Sequence, residues 1–431
     1  MKNLIIFDLD GVITSEDVYW DCAGLTLHEL LYSPLYWNLT RSSSYQPAVN
    51  VEESREISRA TFPEWLIQSF KARALNSNWD TGYATACLHL IALLTYLPKR
   101  AELLPLRPWD ALWLAELREQ MAEIDLDRTW DLSLMHDAWG EQHPFDLPAF
   151  QGTTGLGLFE VMDNYASGML DLPIKGVFSR HGPFWRFCQD IFQEWLLGDK
   201  LFTRTHGHPP AQTGKPGCLF FEKPLLPVEQ IRSTLALLQE QGYTLGIASG
   251  RVKQEAARPL EKYDLWRFFD EQHRATYDAV IWGETELRKI DQQQTLGKPH
   301  PFHFQAAIDR EQALALLKGE AASPEIPAIV VGDSTSDILG GRAAGALTVA
   351  VLTGSRASKE ARSLLLKSEP DFVIEDITHL PALLNEMVNL GTIQKLQFER
   401  RETAEKLLRF WFARYMDIPT WEVRLLPKAV S

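Results

Sequence analysis

The chain has 431 residues, 45% hydrophobic and 23% charged, the composition of an ordinary soluble globular protein long enough for two or three domains. Its 43 Lys and Arg stand against 57 Asp and Glu, a net charge of −14, which argues against nucleic acid or an anionic membrane as a bulk partner. A small anionic substrate remains compatible, because a local site can be positive on an acidic protein.

Taken in chain order, the first element is the apolar strand LIIF (4–7), which runs straight into Asp8 and Asp10. It meets charge too early to be a secretory signal. Residues 15–226 have a different texture. VEESREISRATFPEWLIQSFKARAL, YATACLHLIALLTYL, PWDALWLAELREQMAEI and GPFWRFCQDIFQEWLLG all carry helical periodicity, and no strong strand series interrupts them. The tryptophans of this region, Trp65, Trp79, Trp109, Trp113, Trp130, Trp139, Trp185 and Trp195, are expected in its core. Its longest apolar run, CLHLIALLTYL (87–97), is too short to span a bilayer, so the expected location is the cytoplasm. HGHPPAQTGKPG (206–217) reads as a linker, with His206 and His208 solvated. The four cysteines, Cys22, Cys87, Cys188 and Cys218, show neither a CxxC pair nor zinc-ligand spacing and read as buried or incidental thiols.

From residue 227 the pattern changes to alternating strands and helices. VEQIRSTLALLQEQG is an amphipathic helix ending at Gly242, and YTLGIAS is a short strand after it. EIPAIVVGDS, ALTVAVL and DFVIED supply further strands, with TSDILGGRAAG as a helix stopped by Gly345. Such alternation predicts an α/β fold, a Rossmann-like parallel sheet covered on both faces. A lone strand is no domain, so LIIF is expected to join this sheet. Residues 1–14 with 227–390 then form one unit, and 15–226 are a mainly α-helical insertion. The tail, 391–431, contains the expected helix LQFERRETAEKLLRFWFARYM, which packs on its own core or mediates a dimer with a partner subunit.

In an open parallel sheet, ligands bind beyond the C-terminal strand ends, and four such ends here are polar. Asp8 and Asp10 would repel one another unless a cation sits between them or one is protonated. Magnesium, which prefers hard oxygen ligands, is the obvious neutraliser. ASGR offers Ser249, Gly250 and exposed N–H groups that suit an anionic oxygen, although a Ser at this place is also a plain helix cap. In LGKPHPFHF, Pro299 is expected to start a helix, and a lysine just before it, Lys298, calls for a nearby anion. In VVGDSTSD, Asp333 and Asp337 are four apart and would share a helix face able to hold a cation; the plainer role for Asp333 is an N-cap.

In this order, the four stretches FDLDGVIT, LGIASG, GKPHPF and VVGDSTSD resemble the four motifs of the haloacid dehalogenase superfamily. The resemblance covers residues 1–14 and about 227–380. It implies that Asp8 is a nucleophile forming an aspartyl-phosphate. Asp10 would protonate the leaving oxygen and then deprotonate water. Ser249 and Gly250 would bind the phosphoryl group, and Lys298 would neutralise its charge. Magnesium would be held by Asp8, the Asp10 carbonyl and Asp333, with Asp337 ordering that sphere. The dehalogenase branch lacks the second aspartate, so Asp10 favours small phosphorylated substrates. The insertion falls where the family places a cap, but is much larger than the small helical caps of that position. Inside it, the GTTGLG loop (152–157) and Arg180 with His181 are the only candidate substrate contacts, each with the plainer reading of a loop or helix cap. Two other functions stay open: a phosphomutase on the same site, and a catalytically silent binding or scaffold protein.

Overall fold

The computed structural model describes residues 4–389 apart from 42, 73–74, 76–77, 105–109, 124–149, 151, 154–156, 293, 321–327 and 355–358. The C-terminal tail, Trp109, Trp130, Trp139 and half of the GTTGLG loop lie outside the described residues.

β1 (Leu4–Phe7) is an interior strand of a six-stranded sheet in the order β3-β2-β1-β4-β5-β6. The others are β2 (Thr244–Ala248), β3 (Arg274–Ala275), β4 (Ala328–Gly332), β5 (Leu347–Val351) and β6 (Phe372–Ile374), and every pairing is parallel. The apolar runs explain the position of β1. Ile5 and Phe7 pack into the core on one face, with Ile247, Ile329 and Val331. Leu4 and Ile6 pack into the core on the other, with Ala248, Phe302 and Val330. A strand buried on both faces needs no polar alternation. Each such side chain contributes roughly 1.5–3 kcal/mol by leaving water. The short edge strand β3 was not expected, because two residues carry no period.

Residues 15–226 hold eight α-helices among the described residues: α1 (Asp17–Tyr32), α2 (Val51–Thr61), α3 (Glu64–Ala72), α4 (Asn78–Tyr96), α5 (Arg100–Leu103), α6 (Ala111–Ala122), α7 (Gly157–Leu170) and α8 (Pro183–His206). They share a separate apolar cluster running in sequence from Val18 to Leu219, with Trp113, Trp185 and Trp195 in it and Trp65 on the surface. The single helix expected over VEESREISRATFPEWLIQSFKARAL is two. Pro63 has no N–H to donate and disfavours helical backbone at Phe62, where α2 stops. α1 was not foreseen: from Val18 to Leu31 nearly every side chain is buried, so no polar face gives a helical period. The 206–217 stretch is no free linker. Asp199 accepts from the Gly214 and Lys215 N–H groups at 2.7 and 3.0 Å, and the Lys215 ammonium is buried between Glu29 and Glu194. His206 stacks on Phe202, ring centroids 4.3 Å apart.

After the insertion the helices are α9 (Val228–Glu240), α10 (Lys253–Lys262), α11 (Tyr277–Arg288), α12 (Phe302–Ile308), α13 (Arg310–Leu317), α14 (Thr335–Ala343), α15 (Lys359–Lys367) and α16 (Leu380–Asn389). α9 and α16 cover one face of the sheet through Ile231, Leu235, Leu380 and Leu384. α11 and α12 cover the other through Val280, Leu287, Phe302 and Phe304. No helix among the described residues is long and apolar enough to cross a membrane.

Candidate active site

Register decides what meets at the top of the sheet. Phe7 lies opposite Ile247 on one side and Val331 on the other. The next residues of the three strands, Asp8, Ala248 and Gly332, are therefore level, and the polar residues beyond them converge. This is also where the strand order reverses direction, the place where open parallel sheets leave a crevice.

Asp8 is 8% exposed, and the Leu9 N–H donates to its Oδ1 at 2.8 Å. The Lys298 ammonium stands 3.0 Å from Asp8 Oδ1 and 2.7 Å from Asp337 Oδ1. The second Asp337 oxygen accepts from the Ser334 hydroxyl at 2.6 Å and the Ser334 N–H at 3.2 Å. Burial pushes the Asp8 carboxyl up to about 7, against the pull of Lys298; Asp337 and Asp10 push the same way as burial. Burial also favours the neutral Lys298 amine, but Asp337 and Asp8 more than offset it and hold that group well above the ordinary lysine value.

Two local expectations change here. Lys298 does not precede a helix. It lies in a turn closed by the His300 N–H donating to Gly297 O at 3.0 Å, and α12 starts only at Phe302. Its anion is supplied by two carboxylates rather than by placement at a helix end. The cap of α14 is Ser334, in a reciprocal box with Asp337, and not Asp333. Asp333 is left facing the centre of the site.

One oxygen from each of Asp8, Asp333 and Asp337 lies within 4.8 Å of the others. Asp333 is wedged against glycine backbone: a Cβ on Gly11, whose φ is +73°, would fall 2.1 Å from Asp333 Oδ2, and one on Gly354 1.7 Å from it. Three clustered carboxylates, two of them also paired with Lys298, make a dense patch of hard oxygen donors, and a small divalent cation fits that donor set.

Ser249 is fully buried at the end of β2, its N–H donating to Ala275 O at 3.0 Å, and Gly250 beside it is exposed. The Asp10 side chain points to Arg251, which donates to both of its oxygens, through Nε at 3.1 Å and through Nη2. Arg180 and His181 lie just before α8 in the insertion. Arg180 Nε donates to both oxygens of buried Asp80 at 3.1 Å, and Trp185 Nε1 donates to the same carboxylate at 2.7 Å. Arg180 also lies near Tyr277 at the start of α11, and His181 packs edge-on against Trp185.

Sequence reasoning placed Arg251 at the ASGR strand end without giving it a role, and did not single out Glu222, Thr14 or Tyr19; these four lie around Asp10. Arg251 follows the ASG stretch directly, and an arginine beside a strand-end serine is a usable signal. Nothing near Glu222 in sequence marks it; its partner exists only once the insertion folds back.

Residues 295–380 match a family model for HAD-hydrolase-like proteins. Over 152 residues the chain is 32% identical to PpaX of Caldanaerobacter subterraneus, which is 35% of this chain and 56% of that protein. It is 31% identical over 159 residues to the pyrophosphatase PpaX of Bacillus cereus, 37% of this chain and 60% of that protein. The chain thus spans less than two thirds of the curated relatives it matches. A crystal structure from the Northeast Structural Genomics Consortium superposes with a TM-score of 0.69 at 27% identity, covering 90% of this chain and all of that one. With its parallel sheet and four motifs in order, the chain is similar to haloacid dehalogenase-like proteins, and residues 295–380 carry the match to their model.

Proposed function

We propose that this protein hydrolyses small phosphate esters through a phosphorylated Asp8. The observation that carries the reading is the buried Asp8 carboxylate with Lys298 at 3.0 Å on one oxygen and Asp10 two residues away. A carboxylate oxygen of Asp8 attacks phosphorus, and the bond to the leaving oxygen breaks as Asp10 gives that oxygen a proton. In the second half, water attacks phosphorus, its proton passes to Asp10, and phosphate leaves with the Asp8 carboxylate restored.

The site's own residues support each part. Lys298 pulls Asp8 toward its ionised form, partly offsetting desolvation, and places positive charge beside the equatorial phosphoryl oxygens, which phosphoryl transfer chiefly requires. Ser249 and the N–H groups after it offer donors to the same oxygens. Asp337 holds Lys298 in place. Magnesium, held by Asp8, the Asp10 carbonyl and Asp333 with Asp337 ordering the sphere, would add charge at the phosphoryl oxygens. Helices α1 to α8 of the insertion would act as a cap that excludes water and contacts the rest of the substrate.

The test is phosphate release from a panel of phosphomonoesters and from inorganic pyrophosphate, included because the PpaX relatives are named pyrophosphatases. Magnesium-dependent release that vanishes in Asp8→Asn is the expected result. Equal release by wild type and Asp8→Asn overturns the nucleophile. Product appearing only as a rearranged sugar phosphate would make the protein a mutase.

A further inference from the structure

Arg251 touches both places where the chain crosses between the sheet and the helical insertion. On the outgoing crossing it donates to Asp10, through Nε at 3.1 Å and through Nη2, and Nη2 also donates to Thr14 Oγ1 at 3.0 Å. On the returning crossing, Nη1 donates to Glu222 Oε2 at 2.8 Å. The guanidinium lies over the Tyr19 ring in the first turn of α1, 4.7 Å from its centroid. The crossings are also paired with each other: the Ser15 N–H donates to Lys223 O at 2.9 Å and the Leu225 N–H to Ile13 O at 3.1 Å. Arg251 is 3% exposed and Glu222 is fully buried, so breaking either bond leaves a charge without water to receive it.

We propose that Arg251 is a positioning residue that aims the Asp10 carboxylate and makes that aim conditional on the two crossings being closed against each other. This rests on the acid–base role of Asp10 proposed above. A planar guanidinium that grips both oxygens of a carboxylate fixes its plane as well as its place, which a lysine does not do. The fork is itself held at its other edge by Glu222. Parting the crossings draws Glu222 from Nη1 and Thr14 from Nη2, and the guanidinium is then free to turn. The proton-transfer group is thus set only when the insertion is seated, and Arg251 acts through Asp10 without touching the reacting atoms.

The experiment compares wild type, Arg251→Lys, Arg251→Gln and Glu222→Gln on two substrates. One is an alkyl phosphate, whose leaving oxygen needs a proton. The other is a dinitrophenyl phosphate, whose leaving group does not. In the Arg251 variants kcat for the alkyl ester is expected to fall about a hundredfold with KM little changed, while kcat for the dinitrophenyl ester falls less than about fivefold. Equal losses on both esters, or no loss on either, overturn the proposal. Hydrogen exchange at the Ser15 and Leu225 amides is expected to accelerate in Arg251→Gln and in Glu222→Gln, and unchanged exchange also overturns it. Glu222→Gln keeps the side-chain shape and carries the test if Arg251→Gln does not fold. A wild type inert toward every phosphate ester refutes the proposed hydrolysis instead, and the exchange measurement still decides whether Arg251 ties the crossings.

Discussion

Asp337 holds the Lys298 ammonium at 2.7 Å, closer than Asp8 does at 3.0 Å. The lysine is therefore anchored by a group that does no covalent chemistry and is shared with the one proposed to do it. Asp337→Asn removes the anchor and leaves Lys298 to pair with Asp8 alone. The expected result is a loss of at least about tenfold in kcat, with the protein still folded; kinetics at saturating magnesium check it. Wild-type kcat in Asp337→Asn would show that the anchor is dispensable.

The Asp8 carboxyl is raised from 3.8 to about 7, first by burial. A carboxyl raised in the folded state stabilises the fold below its unfolded value, and that contribution is lost as pH rises through about 7. Metal-free Asp8→Asn lacks this loss. Its melting temperature should exceed that of wild type in EDTA at pH 8, with a smaller gap at pH 5. Magnesium should narrow the gap by stabilising wild type, by about 2.7 kcal/mol at a hundred times its Kd. Calorimetry at the two pH values, with and without magnesium, checks both signs.

Gly11 combines a left-handed backbone, φ +73°, with a Cβ position 2.1 Å from Asp333 Oδ2. Gly11→Ala must strain the turn and displace Asp333. A stability loss of about 1–3 kcal/mol and a weakened magnesium dependence are expected together. Urea unfolding with a magnesium titration of activity measures them; a variant that loses stability but keeps the wild-type magnesium midpoint would separate the turn from the metal.

In the insertion, the Lys215 ammonium lies 2.8 Å from Glu29 Oε2 and also pairs with Glu194, all three side chains buried. Lys215→Met leaves two carboxylates without their cation and should destabilise the protein by about 3–5 kcal/mol. Burial raises Glu29 from 4.5 to about 7 even with the lysine present. The contribution of Glu29 is therefore full below about 4.5 and falls as pH rises through 7, so Glu29→Gln should flatten the stability profile over that window. Denaturant midpoints between pH 5 and 8 would show it.

α1 and α2 approach closely enough that a Cβ on Gly24 would fall 2.3 Å from Ser58 Oγ and 2.7 Å from Ser58 Cα. The Thr61 hydroxyl donates to Gly24 O at 2.8 Å across the same contact. Gly24→Ala should cost about 1–3 kcal/mol through overpacking, despite the better helix propensity of alanine. A thermal melt decides which effect wins, and a stabilised variant would mean the helices part freely.

The sheet was readable because its strands are short apolar runs ended by residues of distinct chemistry. Asp8, Ser249, Lys298 and Asp333 announce themselves by type and spacing; register brings the strand ends before Asp8, Ser249 and Asp333 level, while Lys298 reaches the site from a turn. The helical region was readable only where one face is polar. α1 escaped because it is buried nearly all round, and the α2–α3 break was visible in Pro63 but outweighed by the periodicity around it. The pairing of Arg251 with Glu222 escaped for another reason. Their pairing depends on the return of the chain after the whole insertion, and no local pattern encodes a contact of that range.

The place of β1 also has a consequence for how the chain comes together. Of the sheet's strands residues 4–7 are made before the others, yet their neighbours are residues 244–247 and 328–331. The central strand must wait, unpaired and apolar, until residues 244–247 exist. Contacts of such long sequence separation are slow to form. The insertion has its own apolar cluster between Val18 and Leu219 and can collapse in the interval, carrying β1 on one end and the approach to β2 on the other. Closing the short crossing at Ser15 and Lys223 then brings β1 to β2 as one move. The segment bearing Asp8 is thus the earliest synthesised part of the sheet and is completed only when β4 arrives.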